Sequence, residues 1–414
     1  MEEKKKFHIR HIEIYILIFI AAIVVATIFF VRACTSIDEK TPGYYTITGI
    51  YNKDIPTYSS AYRFNYYFDG NSKQINNDYN DLTYIYSENL APLYALTDDD
   101  RSYREYINIY DINEHINEEI TIDSRLYSIL QDAYNKTMNS DNYSLFAIPL
   151  YSFWYQSFAF TDLDTKVDRD PINSVISTEF LHNVSLYIHD TNHIDLEFLA
   201  EYKVKLKVSE AYQNFLKEEE LPPSYMGLNI LRDSYILDRI TTIIKEKGYT
   251  KGFIENSDGL SIALGGIEYT YGFKNLDLTT IGYVDLPSPI SISSLRRYDF
   301  KTSSVSNYYQ FEKDGVTYYR SIYIDTNTGV NNNAYLYSTI YSPNFSLVEA
   351  TFTNNELVLC NSISEIREYL NMHELGEAKI ITYMSNDKAN IYASTAIYNF
   401  ISKIEGLEYN LIEF

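Results

Sequence analysis

The chain is short of cysteine, of positive charge and of repetition, and each shortage removes a class of protein. Only Cys34 and Cys360 occur in 414 residues. That excludes a disulfide framework, so stability must come from packing. Lys and Arg number 34 against 56 Asp and Glu, a formal net charge of −22. An acidic surface of this kind repels phosphate backbones, which argues against a nucleic-acid partner. There is no internal repeat and no long low-complexity tract, which excludes a repeat architecture. G-x-S-x-G elbows and Walker-type phosphate loops are also missing.

What is present is ordinary in bulk, at 45% hydrophobic and 22% charged residues. That composition and length suit one large globular domain or two modest ones. Tyrosine is the exception, with 43 residues; its ring is amphipathic and can sit half-buried without cost. Ile14 to Val31 is almost wholly apolar and carries no charge. Eighteen residues at helical rise reach about 27 Å, near the thickness of a bilayer core. Lys4, Lys5, Lys6 and Arg10 precede the run, which predicts a single N-terminal anchor with the bulk of the chain outside the cytoplasm. Cys34 in V-R-A-C is similar to a lipidation site, but Arg32 departs from that pattern, so an uncleaved anchor is the reading adopted. The organisation expected is residues 1–34 as basic segment and anchor, 35–44 as linker, and 45–414 as the extracytoplasmic domain.

Local patterns type several elements. Asp123 reads as the N-cap of a helix with Leu126, Ile129, Leu130 and Ala133 inward. Asp233 or Ser234 opens a second helix with Ile236, Ile240, Ile243 and Ile244 inward and Gly248 beyond its end. Gly252 to Asn256 and the following S-I-A-L-G-G read as a strand pair, and Tyr318 to Ile324 as a strand. Ser362 and Glu365 form a capping box for a helix carrying Ile366 and Leu370. The Pro222-Pro223 doublet marks a surface loop. Helices scattered among hairpins predict α+β rather than a doubly wound sheet. His189 and His193 stand four apart beside Asp190 and Asp195, but the segment lacks helical periodicity and reads as a solvated loop. Asp98, Asp99 and Asp100 lack the Gly and Glu of a calcium loop and read as a loop tip.

The most informative feature is the stretch D-T-N-T-G, Asp325 to Gly329, followed by E-A-T-F-T, Glu349 to Thr353. A carboxylate and a hydroxyl four positions apart, Glu349 and Thr353, are oxygen donors that Mg²⁺ accepts. In layout this pair resembles the C-terminal signature of the FAD:protein FMN transferases, H-x-x-D-P-x-T-G followed by D-A-L-x-T. Pro149, Leu150 and Trp154 match that family's P-L-x-x-x-W, and Tyr235, Asp238 and Arg239 fit its helix entrance. Other positions differ. Ile322 stands at the His position, Asp233 at the Lys position, and Asn229 and Ile230 at paired glycines.

The resemblance implies an α+β, two-lobed domain of mixed, mainly antiparallel sheets with packed helices. It implies Mg²⁺-dependent transfer of FMN from FAD to a Thr or Ser of an acceptor flavoprotein of electron-transfer type. It places flavin binding at Tyr143, Tyr308, Asp325, Thr328 and Gly329, and the metal at Glu349 and Thr353. Ile322 cannot accept a proton, so no general base comes from that position. The alternative is a descendant of the family that binds flavin or a protein without turnover.

Overall fold

Strands rich in tyrosine, isoleucine and serine assemble a nine-stranded sheet in this computed structural model. The structure describes residues 40–413 apart from 141, 220–223, 258, 267, 275–278, 296–307, 332, 385–388 and 405. The apolar run Ile14 to Val31, Cys34, most of the linker, Pro222-Pro223 and Ser304 to Asn307 therefore lie outside the described residues. Among the described residues no helix is long and apolar enough to cross a membrane.

Contacts group the chain into two compact units. The first takes in residues 40–44 and 67–80 of the described chain, and the second Tyr45–Tyr66 with Asp81–Phe414. In the first, the Tyr44 and Tyr67 rings meet edge to face with centroids 5.2 Å apart. The residues that line the cleft all belong to the second.

The strands run in the order Gly43–Ile47, Tyr62–Phe68, Gly252–Asn256, Leu260–Gly265, Ile290–Leu295, Tyr335–Ser342, Lys379–Met384, Asn390–Ala393 and Asn410–Glu413. Pairing is antiparallel from Tyr62–Phe68 through Asn390–Ala393, and Asn390–Ala393 pairs in parallel with Asn410–Glu413. Alternation along a strand sends successive side chains to opposite faces. On one face Ile340 and Ile380 join Ala350, Leu357 and Ile366 of two helices, Leu347–Glu356 and Ile363–Met372, and the 3₁₀ turn that follows the first. The partner set Ile292, Tyr337 and Tyr383 packs with Phe273 and Ile281 of the hairpin Tyr269–Lys274 and Thr280–Leu286. Each such fully buried side chain is worth about 1.5–3 kcal/mol relative to exposure. The result is α+β with antiparallel sheets and packed helices, as the sequence predicts.

Local expectations fare unevenly. Asp123 does cap the helix Ser124–Met138 by accepting from Arg125 N–H, and Leu126, Ile129, Leu130 and Ala133 are buried. The second helix is Arg232–Glu246, which starts ahead of Asp233 and Ser234 and continues a 3₁₀ turn at Asn229–Leu231. Neither residue caps it; Asp233 instead accepts from Tyr62 Oη and Asn256 Nδ2, both at 2.8 Å. Ser362 caps Ile363–Met372 through Glu365 N–H, but Glu365 Oε2 takes Asn361 N–H, one residue before the cap. The strand expected over Tyr318 to Ile324 breaks. Val316–Ser321 pairs with Tyr308–Lys313, and Ile324–Asp325 pairs with Val330–Asn331. His189 ends the helix Val175–Ile188 and leads into a turn, so the histidine pair is turn-like as read. Of the aspartate triplet read as a loop tip, Asp100 is exposed, whereas Asp98 is buried and accepts from Tyr103 Oη and Asp100 N–H.

Candidate functional site

A cleft of about 690 Å³ opens beside the start of the Arg232–Glu246 helix. That volume falls in the range of small-molecule sites. Tyr110, Tyr151, Tyr155 and Tyr323 supply aromatic wall, with Ile148, Ile230, Leu260, Leu295 and Ile322 between them. Asp99, Asp100, Glu114, Arg232 and Asp233 supply its charge.

Each polar group is fixed by a different element. Arg232 rests on the Tyr94 ring, 4.6 Å from its centroid, and its Nη2 donates to the Tyr94 carbonyl at 3.2 Å. Asp233 is fixed by Tyr62 and Asn256. Thr351 Oγ1 accepts from Ser234 Oγ at 2.7 Å. Ser294 Oγ sits between Tyr271 Oη at 2.6 Å and Thr339 Oγ1 at 2.8 Å, a buried hydroxyl chain under the cleft floor. Asp99 lies against the main chain of Gly227, where an added Cβ would meet its Oδ2 at 2.2 Å. Burial, and then the neighbouring Asp100, push the Asp99 carboxyl up to about 6.

Sequence reasoning and geometry disagree in an instructive way. Four of the positions where this chain differs from the flavin-transferase motifs line the cleft: Asn229, Ile230, Asp233 and Ile322. Asn229 keeps φ at +53°, the left-handed conformation that glycine and asparagine favour. The seven residues singled out as ligands are not among those lining it. Tyr143 is buried, with its hydroxyl donating to the Leu228 carbonyl at 3.3 Å and its ring edge-on to Phe352. Tyr308 begins the strand Tyr308–Lys313 and its hydroxyl donates to Gln310. Asp325, Thr328 and Gly329 form a tight turn closed on itself. Asn327 N–H donates to Asp325 Oδ1 at 2.9 Å, Thr328 Oγ1 donates to Oδ2 at 3.0 Å, and Gly329 has φ of +71°.

Glu349 and Thr353 do share the helix Leu347–Glu356. Glu349 Oε2, however, accepts Ser346 N–H at 2.8 Å while Ser346 Oγ accepts Glu349 N–H at 3.1 Å. This is a reciprocal capping box, legible in the sequence as S-L-V-E and passed over there. Thr353 is buried. One carboxylate engaged in a cap and one buried hydroxyl are a poor match to the octahedral oxygen set of Mg²⁺, so no chemical step is derived through the metal. A flavin ring fits the volume and the tyrosine-lined wall. The residues missed by sequence reasoning are Asp99 and Arg232. Their signal was weak, because nothing local says that Asp99 and Arg232 share a cavity.

No protein-family model matches the chain, and no curated protein matches it in sequence. Solved structures do match, and they show the fold: it is that of the ApbE flavin transferases. The ApbE protein of Thermotoga maritima aligns over 83% of this chain and 95% of its own, at 17% identity and a TM-score of 0.54. The apo flavinyl transferase ApbE of Pseudomonas stutzeri covers 83% and 92%, at 15% identity and 0.53. The flavin transferase ApbE of Vibrio cholerae covers 87% and 100%, at 14% identity and 0.51. The superpositions show shared architecture, and at this level of identity architecture alone.

Proposed function

We propose that this chain is a flavin-handling protein of the flavin-transferase type, binding its flavin in the 690 Å³ cleft. The observation that carries the reading is the placement of Asn229, Ile230, Asp233 and Ile322, all at family-motif positions, around one tyrosine-lined cavity. A planar aromatic ligand gains offset stacking and apolar burial there. With Ile322 where a base is expected and Asp233 where a cation is expected, binding without turnover is the function this wall supports best.

A second reading has one feature in its favour. Asp99, with its carboxyl raised to about 6, is a proton acceptor poised near neutral pH inside the cleft. On that reading the protein transfers FMN from FAD, with Mg²⁺, to a Thr or Ser of an acceptor flavoprotein. The chain would act outside the cytoplasm, tethered by Ile14 to Val31.

One experiment separates them. The protein is incubated with FAD, Mg²⁺ and an acceptor carrying the modifiable hydroxyl, and AMP release is followed alongside flavin fluorescence. Saturable fluorescence change without AMP supports the binding reading. AMP release with labelled acceptor establishes transfer, and a Mg²⁺-dependent rise in Tm that vanishes in Glu349→Ala would make Glu349 a ligand. No saturable change with any flavin removes both.

A further inference from the structure

Among the described residues, the cleft has an excess of negative charge and of hydrogen-bond acceptors, and this limits which flavin it can hold. Of those residues four carboxylates line it, Asp99, Asp100, Glu114 and Asp233, against one guanidinium, Arg232. Arg232 is already engaged by the Tyr94 carbonyl and, at 3.4 Å, by Thr97 Oγ1. Two of its five N–H donors are therefore in use before a ligand arrives. Asn229 adds a further acceptor: its Nδ2 donates to the Ser144 carbonyl at 3.0 Å, while its buried Oδ1 has no partner. A buried acceptor without a donor is costly unless a ligand or water supplies one.

A phosphate or pyrophosphate brings only acceptors and negative charge to this wall. Like charges juxtaposed in a partly desolvated site repel strongly. The flavin ring N–H and the hydroxyls of a ribityl chain are donors and carry no charge. We infer that the cleft takes a neutral, donor-rich flavin of the riboflavin class in preference to phosphate-bearing FMN or FAD. This rests on the flavin reading above and names the ligand class for the same site. Ring stacking would be common to all three ligands, so discrimination would come from the tail. Specificity here is a difference of affinities set by a repulsive element.

The test uses the full chain in mild detergent with EDTA at pH 7.5 and low salt. Riboflavin, FMN and FAD are titrated separately by calorimetry. The expected result is riboflavin binding about tenfold or more tighter than FAD, with FMN between them. Raising the salt should narrow that gap, since screening weakens charge repulsion. Asp99→Asn/Asp100→Asn should narrow it several-fold. FAD binding as tightly as riboflavin in EDTA overturns the inference and leaves the flavin reading standing. A gap that the double variant leaves unchanged, with its melting temperature at or above that of the parent, overturns the charge argument. Absence of binding by any of the three overturns the flavin reading and the inference together.

Discussion

Trp154 Nε1 donates a hydrogen bond to the carbonyl of Gly329 at 2.8 Å. The bond joins two stretches picked out by sequence, P-L-x-x-x-W and D-T-N-T-G, which stand 175 residues apart. Both residues are buried. The D-T-N-T-G turn is thereby docked on the helix Ile148–Ala159, whose Ile148, Tyr151 and Tyr155 line the cleft.

Trp154→Phe should keep most of the packing and strand the Gly329 carbonyl. The expected cost is about 1–3 kcal/mol, read as a lowered urea midpoint with unchanged slope. Gly329→Ala should cost a similar amount, about 1–3 kcal/mol. Its Cβ would sit 2.9 Å from Leu181 Cβ, and φ is +71°. A neutral result for both would mean that the turn is not docked as described.

Asp170 and Arg320 form a buried bidentate pair, with Nε to Oδ2 at 2.7 Å and Nη2 to Oδ1 at 3.0 Å, and Tyr309 Oη adds a third donor at 2.8 Å. Arg320→Met leaves a buried carboxylate without its counter-charge. A loss of about 3–5 kcal/mol is expected. Asp170→Asn combined with Arg320→Met should be less destabilised than Arg320→Met alone. A double variant worse than the single one would show that packing, not charge, dominates.

Asp238 holds the first turn of the helix Leu347–Glu356, accepting Leu347 N–H at 2.9 Å on Oδ1 and Val348 N–H at 2.8 Å on Oδ2. Asp238→Ala should cost about 1–3 kcal/mol, since two helix-end donors lose their acceptor. Asp238→Asn keeps one acceptor and should fall between parent and alanine variant. Equal stability of the two variants would deny the role to the second oxygen.

Burial raises the Asp99 carboxyl from 3.8 to about 6. A raised folded-state value favours the protonated form on folding, so its contribution is full below about pH 4 and is lost as pH rises through about 6. Asp99→Asn removes this dependence. The variant should melt above the parent at pH 7.5, by the equivalent of about 1–3 kcal/mol, and the two curves should meet near pH 4. A difference that is constant with pH would show that Asp99 does not titrate in this range.

The fold was largely legible because the signals were local. The stripe Leu126, Ile129, Leu130 and Ala133, the Asp123 cap, and the strand Gly252–Asn256 with its partner each needed only neighbouring residues to be recognised. The site was not. Glu349 and Thr353 looked like a metal pair because a carboxylate and a hydroxyl one helical turn apart satisfy that description. The same Glu349 also completes Ser346-x-x-Glu349, and in the folded chain its carboxylate is in that cap. The tyrosine excess has a similar history. Composition gave no function for it, whereas the structure uses buried tyrosine hydroxyls to reach distant carboxylates: Tyr62 to Asp233, Tyr235 to Asp132, and Tyr309 to Asp170.

Periodicity, capping residues and the shortage of cysteine by themselves determined an α+β chain with antiparallel strands and no disulfide framework. Only the tertiary structure decided which side chains share the cleft. Asp99, Asp233 and Ile322 are brought together by the sheet and its helices, not by spacing along the chain. Helix and strand patterns repeat over two to four residues and so are written locally. A cavity is the space left between elements far apart in sequence, and its charge is known only when all of them are in place.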